Sequence, residues 1–126
     1  MPSGRRLEAW GLVLLWAGLI FIISSTPDAH SGLEQDFFLR KVAHMVEFGV
    51  LAWLLGRAFK AESVKPKNAL AGALVFAVIY ALSDEWHQTF ISGREGAWRD
   101  VGFDALGAIV ALVAVYGRDF LASSTT

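Results

Sequence analysis

Ionisable residues recur at three-residue intervals in a part of the chain that is otherwise apolar. Lys41, His44 and Glu47 follow one another at this spacing, and an α-helix with ~3.6 residues per turn places them along one drifting stripe. Asp84 and His87 repeat the spacing further along the chain. A histidine and a carboxylate one helical turn apart can transfer a proton or ligate a divalent metal that activates water. These spacings therefore indicate acid–base or metal chemistry.

Two sets of candidates follow from these chemistries. Asp104, which shares a helical face with Asp100 at the start of the last apolar segment, could pair with His44 for proton transfer or join the metal ligands of the two earlier motifs. The candidate catalytic residues are His44, Glu47, Asp84, His87 and Asp104. The weak candidate metal ligands are His44, Glu47, Asp84 and His87. Because short His/Glu spacings also occur by chance, they identify neither a metal nor a cofactor.

Basic residues offer a third chemistry. Lys41, Arg94 and Arg99 could hold an anionic group, because arginine binds phosphate and carboxylate bidentately. Both arginines also have acidic neighbours, Glu95 and Asp100, so local ion pairing is an alternative. A further alternative is that all the charged residues form a structural ion-pair network that fixes one end of the molecule.

Four apolar segments must position these residues. Hydrophobic residues make up 55% of the 126 residues and charged residues 18%, whereas a soluble domain carries about 25% charged residues. This composition argues against a soluble enzyme, and the net charge of -1 argues against nucleic-acid binding. A membrane-spanning helix needs ~20 predominantly apolar residues. The sequence therefore predicts one all-α membrane domain over 1–126, with transmembrane helices over about 7–25, 37–59, 68–87 and 100–116.

Charge asymmetry predicts the orientation of these helices. The N-terminus, the second connection and the C-terminus fall on one side of the membrane and carry seven of the 11 basic residues, which are Arg5, Arg6, Arg57, Lys60, Lys65, Lys67 and Arg118. The positive-inside rule then places both termini in the cytoplasm. We expect the first apolar segment to be retained as a helix, because no small-residue cleavage pattern follows it. Ala69, Ala73, Ala77 and Ala81 form a stripe that predicts close packing within the bundle.

The ordered set of motifs in this chain resembles the VanZ-like family of small bacterial membrane proteins. Any one motif is short, but their order and spacing match over nearly the whole chain. The motifs are Ser24-Ser25-x-Pro27, Lys41-x-x-His44-x-x-Glu47-Phe48, Asp84-Glu85-x-x-Gln88-x-Phe90, Gly93-Arg94-Glu95-Gly96 and Asp100-x-x-x-Asp104-x-x-Gly107.

The resemblance implies a helical bundle in the bacterial plasma membrane, and the founding member of the family is linked to teicoplanin resistance. It also implies a set of binding residues, which are Lys41, His44, Glu47, Asp84, Glu85, Gln88, Arg94, Asp100 and Asp104. Our hypothesis is that an outer-leaflet pocket binds an anionic lipid-linked or peptidoglycan-related group and so affects glycopeptide susceptibility. The alternatives are a membrane-embedded, metal-dependent or acid–base hydrolase or transferase of an envelope lipid, and a structural subunit of a larger membrane complex.

Overall fold

Four long α-helices make up the computed structural model, which describes residues 3–25, 34–90 and 100–124. They are α1 (Ser3–Ser25), α2 (Glu34–Ala61), α3 (Pro66–Gln88) and α4 (Asp100–Ser124). Each helix contains a stretch that is long and apolar enough to cross a membrane, namely Gly4–Ile23, Lys41–Ala61, Pro66–His87 and Asp100–Arg118. The all-helical architecture and the four spans agree with the sequence prediction, and the chain is a multi-pass membrane protein.

Most helix ends lie beyond the apolar runs that predict the helices, although α1 ends at Ser25 and α4 begins at Asp100 as predicted. The last helix continues to Ser124, whereas the apolar run ends at 116, because Gly117 and the charged residues after it end the hydrophobicity without breaking the backbone hydrogen bonds. Between α2 and α3 the chain turns sharply. Ser63 adopts a positive φ of 64°, and Pro66 begins α3, where its missing N–H group leaves no helical hydrogen bond unmade.

The helices alternate in direction, and α2 contacts all three of the others. Within the described residues, α1 contacts α2 and α3 but not α4. We call the end of the bundle that carries the α2–α3 turn the turn end, and the opposite end the polar end. The predicted alanine stripe of α3 is buried inside the chain, where Ala73 and Ala81 have no exposed surface. Its role in packing within the bundle is therefore confirmed.

Helices α2 and α4 approach each other closely at two glycines. A Cβ atom added to Gly107 would lie 2.2 Å from the carbonyl oxygen of Met45. Across the same contact, a Cβ atom on Gly49 would lie 3.2 Å from the carbonyl oxygen of Gly107. Glycines at both positions let the two backbones touch, which is how helices gain van der Waals contact in a membrane.

Charged side chains join the helices at the turn end. Arg6 Nε and Trp10 Nε1 of α1 donate hydrogen bonds to Glu62 Oε1 at 2.9 and 3.0 Å. Arg57 donates to Glu8 at 2.8 Å. The hydrogen bond from Arg6, followed by that from Trp10, lowers the pKa of Glu62 below the ordinary value for a glutamate. The ionised Glu62 therefore attaches α1 to the α2–α3 turn.

This attachment predicts a dependence of stability on pH. Because the pKa of Glu62 is lower in the folded than in the unfolded chain, its contribution is present above the unfolded value of ~4.3 and is lost as the pH falls through the folded value. We expect Glu62→Gln to lower the unfolding midpoint in detergent at pH 7. The difference from the wild type should shrink steadily below about pH 4. A difference that stays constant down to acid pH contradicts this role.

Candidate functional site

Three helices contribute ionisable side chains to a common site at the polar end. Because α2 and α4 both start there and α3 ends there, residues far apart in sequence come together. We call this site the polar cluster and define it by Lys41 and His44 of α2, Asp84 and Glu85 of α3, and Asp100 and Asp104 of α4. The two residues of α3 and Asp104 are buried, although all three are ionisable.

A histidine–aspartate pair occupies the centre of the polar cluster. His44 Nδ1 lies 3.1 Å from Asp104 Oδ1, so a protonated Nδ1 donates a hydrogen bond to the carboxylate. The Asp104 side chain is 0% exposed, and its other oxygen, Oδ2, has no hydrogen-bond partner among the described residues. Phe48 lies nearly parallel to the His44 ring, with the ring centroids 6.4 Å apart. The pair is thus fixed in place and closed off from the apolar core.

This arrangement suits histidine to proton transfer. When Nδ1 donates to Asp104, a neutral imidazole ring keeps a free electron pair on Nε2. A carboxylate that holds the ring in this tautomer and stabilises its charged form is a recurring support for a catalytic base. Asp84 and Glu47 also interact electrostatically with His44. The described site therefore has the parts of an acid–base centre.

Glu85 is the third member of the centre. One potential ligand atom each of His44, Glu85 and Asp104 lies within 4.8 Å of the other two. The sequence placed Glu85 among the binding residues but not among the metal ligands. A signal for its position was present, because Glu85 follows Ala81 by four residues and so continues the buried alanine stripe.

A lysine–aspartate ion pair flanks this centre. Lys41 Nζ contacts Asp100 Oδ1, and both side chains are mostly buried. The ammonium group also lies 5.5 Å from the centroid of the Phe103 ring, within the range of a cation–π interaction. The structure thus joins two of the predicted binding residues from different helices.

The remaining candidates are not members of the group formed by His44, Glu85 and Asp104, or they lie outside the described residues. His87 stacks on Phe21 of α1, with ring centroids 4.5 Å apart, and is not in the group of three potential metal ligands. Glu47 and Asp84 are also outside that group. The carbonyl of Glu47 accepts a hydrogen bond from Trp16 Nε1 at 2.9 Å. The Gln88 side chain and Arg94 lie outside the part of the chain whose placement is described.

An apolar groove starts next to the polar cluster and runs along the lipid-facing side of α2 and α4. Its volume is about 490 Å³, and its lining includes Val42 and Trp53 of α2 and Val110 of α4. At ~100° per residue, Lys41 lies between the α2 face that carries His44 and the face that carries Val42. Since Val42 directly follows Lys41 in the sequence, the groove begins beside the Lys41–Asp100 pair.

Comparison with known families identifies the family of this chain. Searches of curated proteins and of solved structures gave no match. The family described as VanZ/LLP1 matches residues 9–121. This range includes every member of the polar cluster and all four spans, apart from the first residues of α1. The chain, with its four apolar helices and the cluster at one end, belongs to the VanZ/LLP1 family.

Proposed function

We propose that the protein lies in the bacterial plasma membrane with both termini cytoplasmic and binds an anionic lipid-linked or peptidoglycan-related group at the outer leaflet. The observation that carries this proposal is the apolar groove lined by α2 and α4, which includes Val42, the residue that directly follows Lys41 of the buried Lys41–Asp100 pair. A lipid has a polar head group and a hydrocarbon chain. A polar site with an adjoining apolar groove offers a place for each part.

The anionic group would replace the Asp100 carboxylate as a partner of the Lys41 ammonium group. Lys41 contacts the carboxylate of Asp100 in a mostly buried position, and a phosphate can take the place of that carboxylate. Arg94, in the connection between α3 and α4, supplies the second cation in this proposal. Binding a cell-wall precursor there changes its supply at the membrane surface, which connects the site to glycopeptide susceptibility.

The test compares charge-removing variants at this site. In a deletion strain, we expect the wild-type chain to restore teicoplanin tolerance and Lys41→Ala and Arg94→Ala to fail at equal expression. Losing a charge-assisted contact of ~1.5–3 kcal/mol weakens binding about tenfold or more, so less lipid should co-purify with each variant. Mass spectrometry of the purified protein measures this loss.

Lys67→Ala is the matched control, because Lys67 is exposed at the turn end and should keep both tolerance and bound lipid. Full tolerance and unchanged bound lipid in both Lys41→Ala and Arg94→Ala contradict the proposal.

A second candidate function is acid–base hydrolysis or group transfer on an envelope lipid, and the buried His44–Asp104 pair favours it. His44 Nε2 would take the proton of the attacking water or hydroxyl. The same strains distinguish this function from binding alone. Catalysis predicts that an unprocessed lipid accumulates in cells with His44→Ala, whereas binding alone leaves the total lipid composition unchanged.

A further inference from the structure

We infer that His44, Glu85 and Asp104 form a binding site for one divalent first-row metal ion, of the Zn²⁺ or Mn²⁺ type. The three residues come from three different helices, and one potential ligand atom of each lies within 4.8 Å of the others. No two of them are neighbours along one helix, so their convergence results from the packing of the bundle.

The distances suit direct coordination. His44 Nδ1 and Asp104 Oδ1 are 3.1 Å apart. If both atoms lie about 2.1 Å from one ion, they subtend an angle of about 95° at the ion. This angle is close to those of octahedral coordination and within reach of a distorted tetrahedron. Coordination by Nδ1 requires that this nitrogen carry no proton, so the ion replaces the proton of the His44–Asp104 hydrogen bond and the hydrogen moves to Nε2 or to solvent.

A second observation, independent of the spacing, points to a cation. Asp104 has no exposed surface, and its Oδ2 atom has no hydrogen-bond partner among the described residues. Leaving a buried acceptor unsatisfied costs about 1–3 kcal/mol and more for a charged group. The carboxylate group that carries Oδ2 is therefore available to a cation, and the described residues supply no hydrogen-bond donor to that atom.

The charges of the three side chains suit a divalent ion. Glu85 and Asp104 are both 0% exposed and lie within spanning segments, where a carboxylate costs about 2.5–3.5 kcal/mol on insertion scales. One divalent ion neutralises two carboxylates. A neutral imidazole and two carboxylates form a mixed nitrogen–oxygen set, which suits zinc, manganese or iron better than calcium. The ion keeps open positions for water or a substrate oxygen.

The inference is tested by metal content, independently of the lipid ligand proposed above. The full chain is purified in detergent, its affinity tag is removed, and bound metal is stripped with EDTA. The protein is then equilibrated with Zn²⁺ or Mn²⁺, washed and analysed by inductively coupled plasma mass spectrometry. We expect about one equivalent in the wild type, and metal affinity at least about tenfold weaker in Glu85→Gln and His44→Ala.

Two control variants distinguish this donor set from the one suggested by spacing along each helix. Glu47→Gln and His87→Ala should keep the metal, because both residues lie outside the group of three. Zinc should raise the unfolding temperature of the wild type and of both controls but not of Glu85→Gln. A stripped and reloaded wild type that holds no metal overturns the inference whatever the variants do. Equal metal loss in Glu47→Gln and Glu85→Gln also overturns it.

Discussion

Gly107→Ala is expected to destabilise the bundle by about 3 kcal/mol, the upper part of the usual range for overpacking a core. The new methyl carbon would lie 2.2 Å from the carbonyl oxygen of Met45 and 2.8 Å from its carbonyl carbon and Cα. These are backbone atoms, so no side-chain rotation relieves the overlap. The helices α2 and α4 must move apart, which also separates His44 from Asp104.

Gly102→Ala is the matched control on the same helix, because a Cβ atom there meets nothing within 4 Å. It should be neutral or slightly stabilising, since alanine exceeds glycine in helix propensity by about 1 kcal/mol. Unfolding of the purified proteins in detergent, followed by circular dichroism, measures both changes. If the two variants are equally stable, the close approach of α2 and α4 is not as described.

The second large effect is expected at the His44–Asp104 pair. Removing one partner of a buried pair costs about 3–5 kcal/mol, because the other charge is left without compensation. We therefore expect His44→Leu, which leaves the wholly buried Asp104 in place, to destabilise the metal-free protein by about 3 kcal/mol.

The double variant His44→Leu/Asp104→Leu gives the sharper result. Replacing a whole buried pair with apolar residues is often neutral or stabilising, so the double variant should be more stable than His44→Leu alone. A double-mutant cycle in detergent measures the coupling. Strictly additive losses in the two single variants contradict a direct interaction. A stable double variant without function would show that the pair is kept for its chemistry.

The four helices were predictable because hydropathy alone requires them. A backbone in lipid has to satisfy its own hydrogen bonds, so each long apolar segment becomes a helix. The helix ends were less predictable, and α4 continues to Ser124 because polarity ends a hydrophobic run without ending a helix. The burial of the alanine stripe was also predictable, since its four-residue spacing places every member on one face.

The composition of the three-residue centre was only partly predictable. Sequence spacing reports which residues are neighbours on one helix, and it therefore paired His44 with Glu47 and Asp84 with His87. The structure brings one residue from each of three helices together, which depends on the rotation of each helix about its axis. That rotation is set by packing contacts between helices, such as the one at Gly107.

The core below the polar cluster determines the end from which the cluster is reached. Successive turns of α4 place Ala108 and Leu112 beneath Asp104, and Phe48 lies beneath His44 on α2; all three of these residues are buried apolar side chains. Within the described helices, the polar cluster is therefore followed by apolar side chains on both α2 and α4 toward the turn end. Because a charged group is costly among apolar side chains away from water, a substrate, proton or ion that uses the cluster is expected to approach it from the polar end.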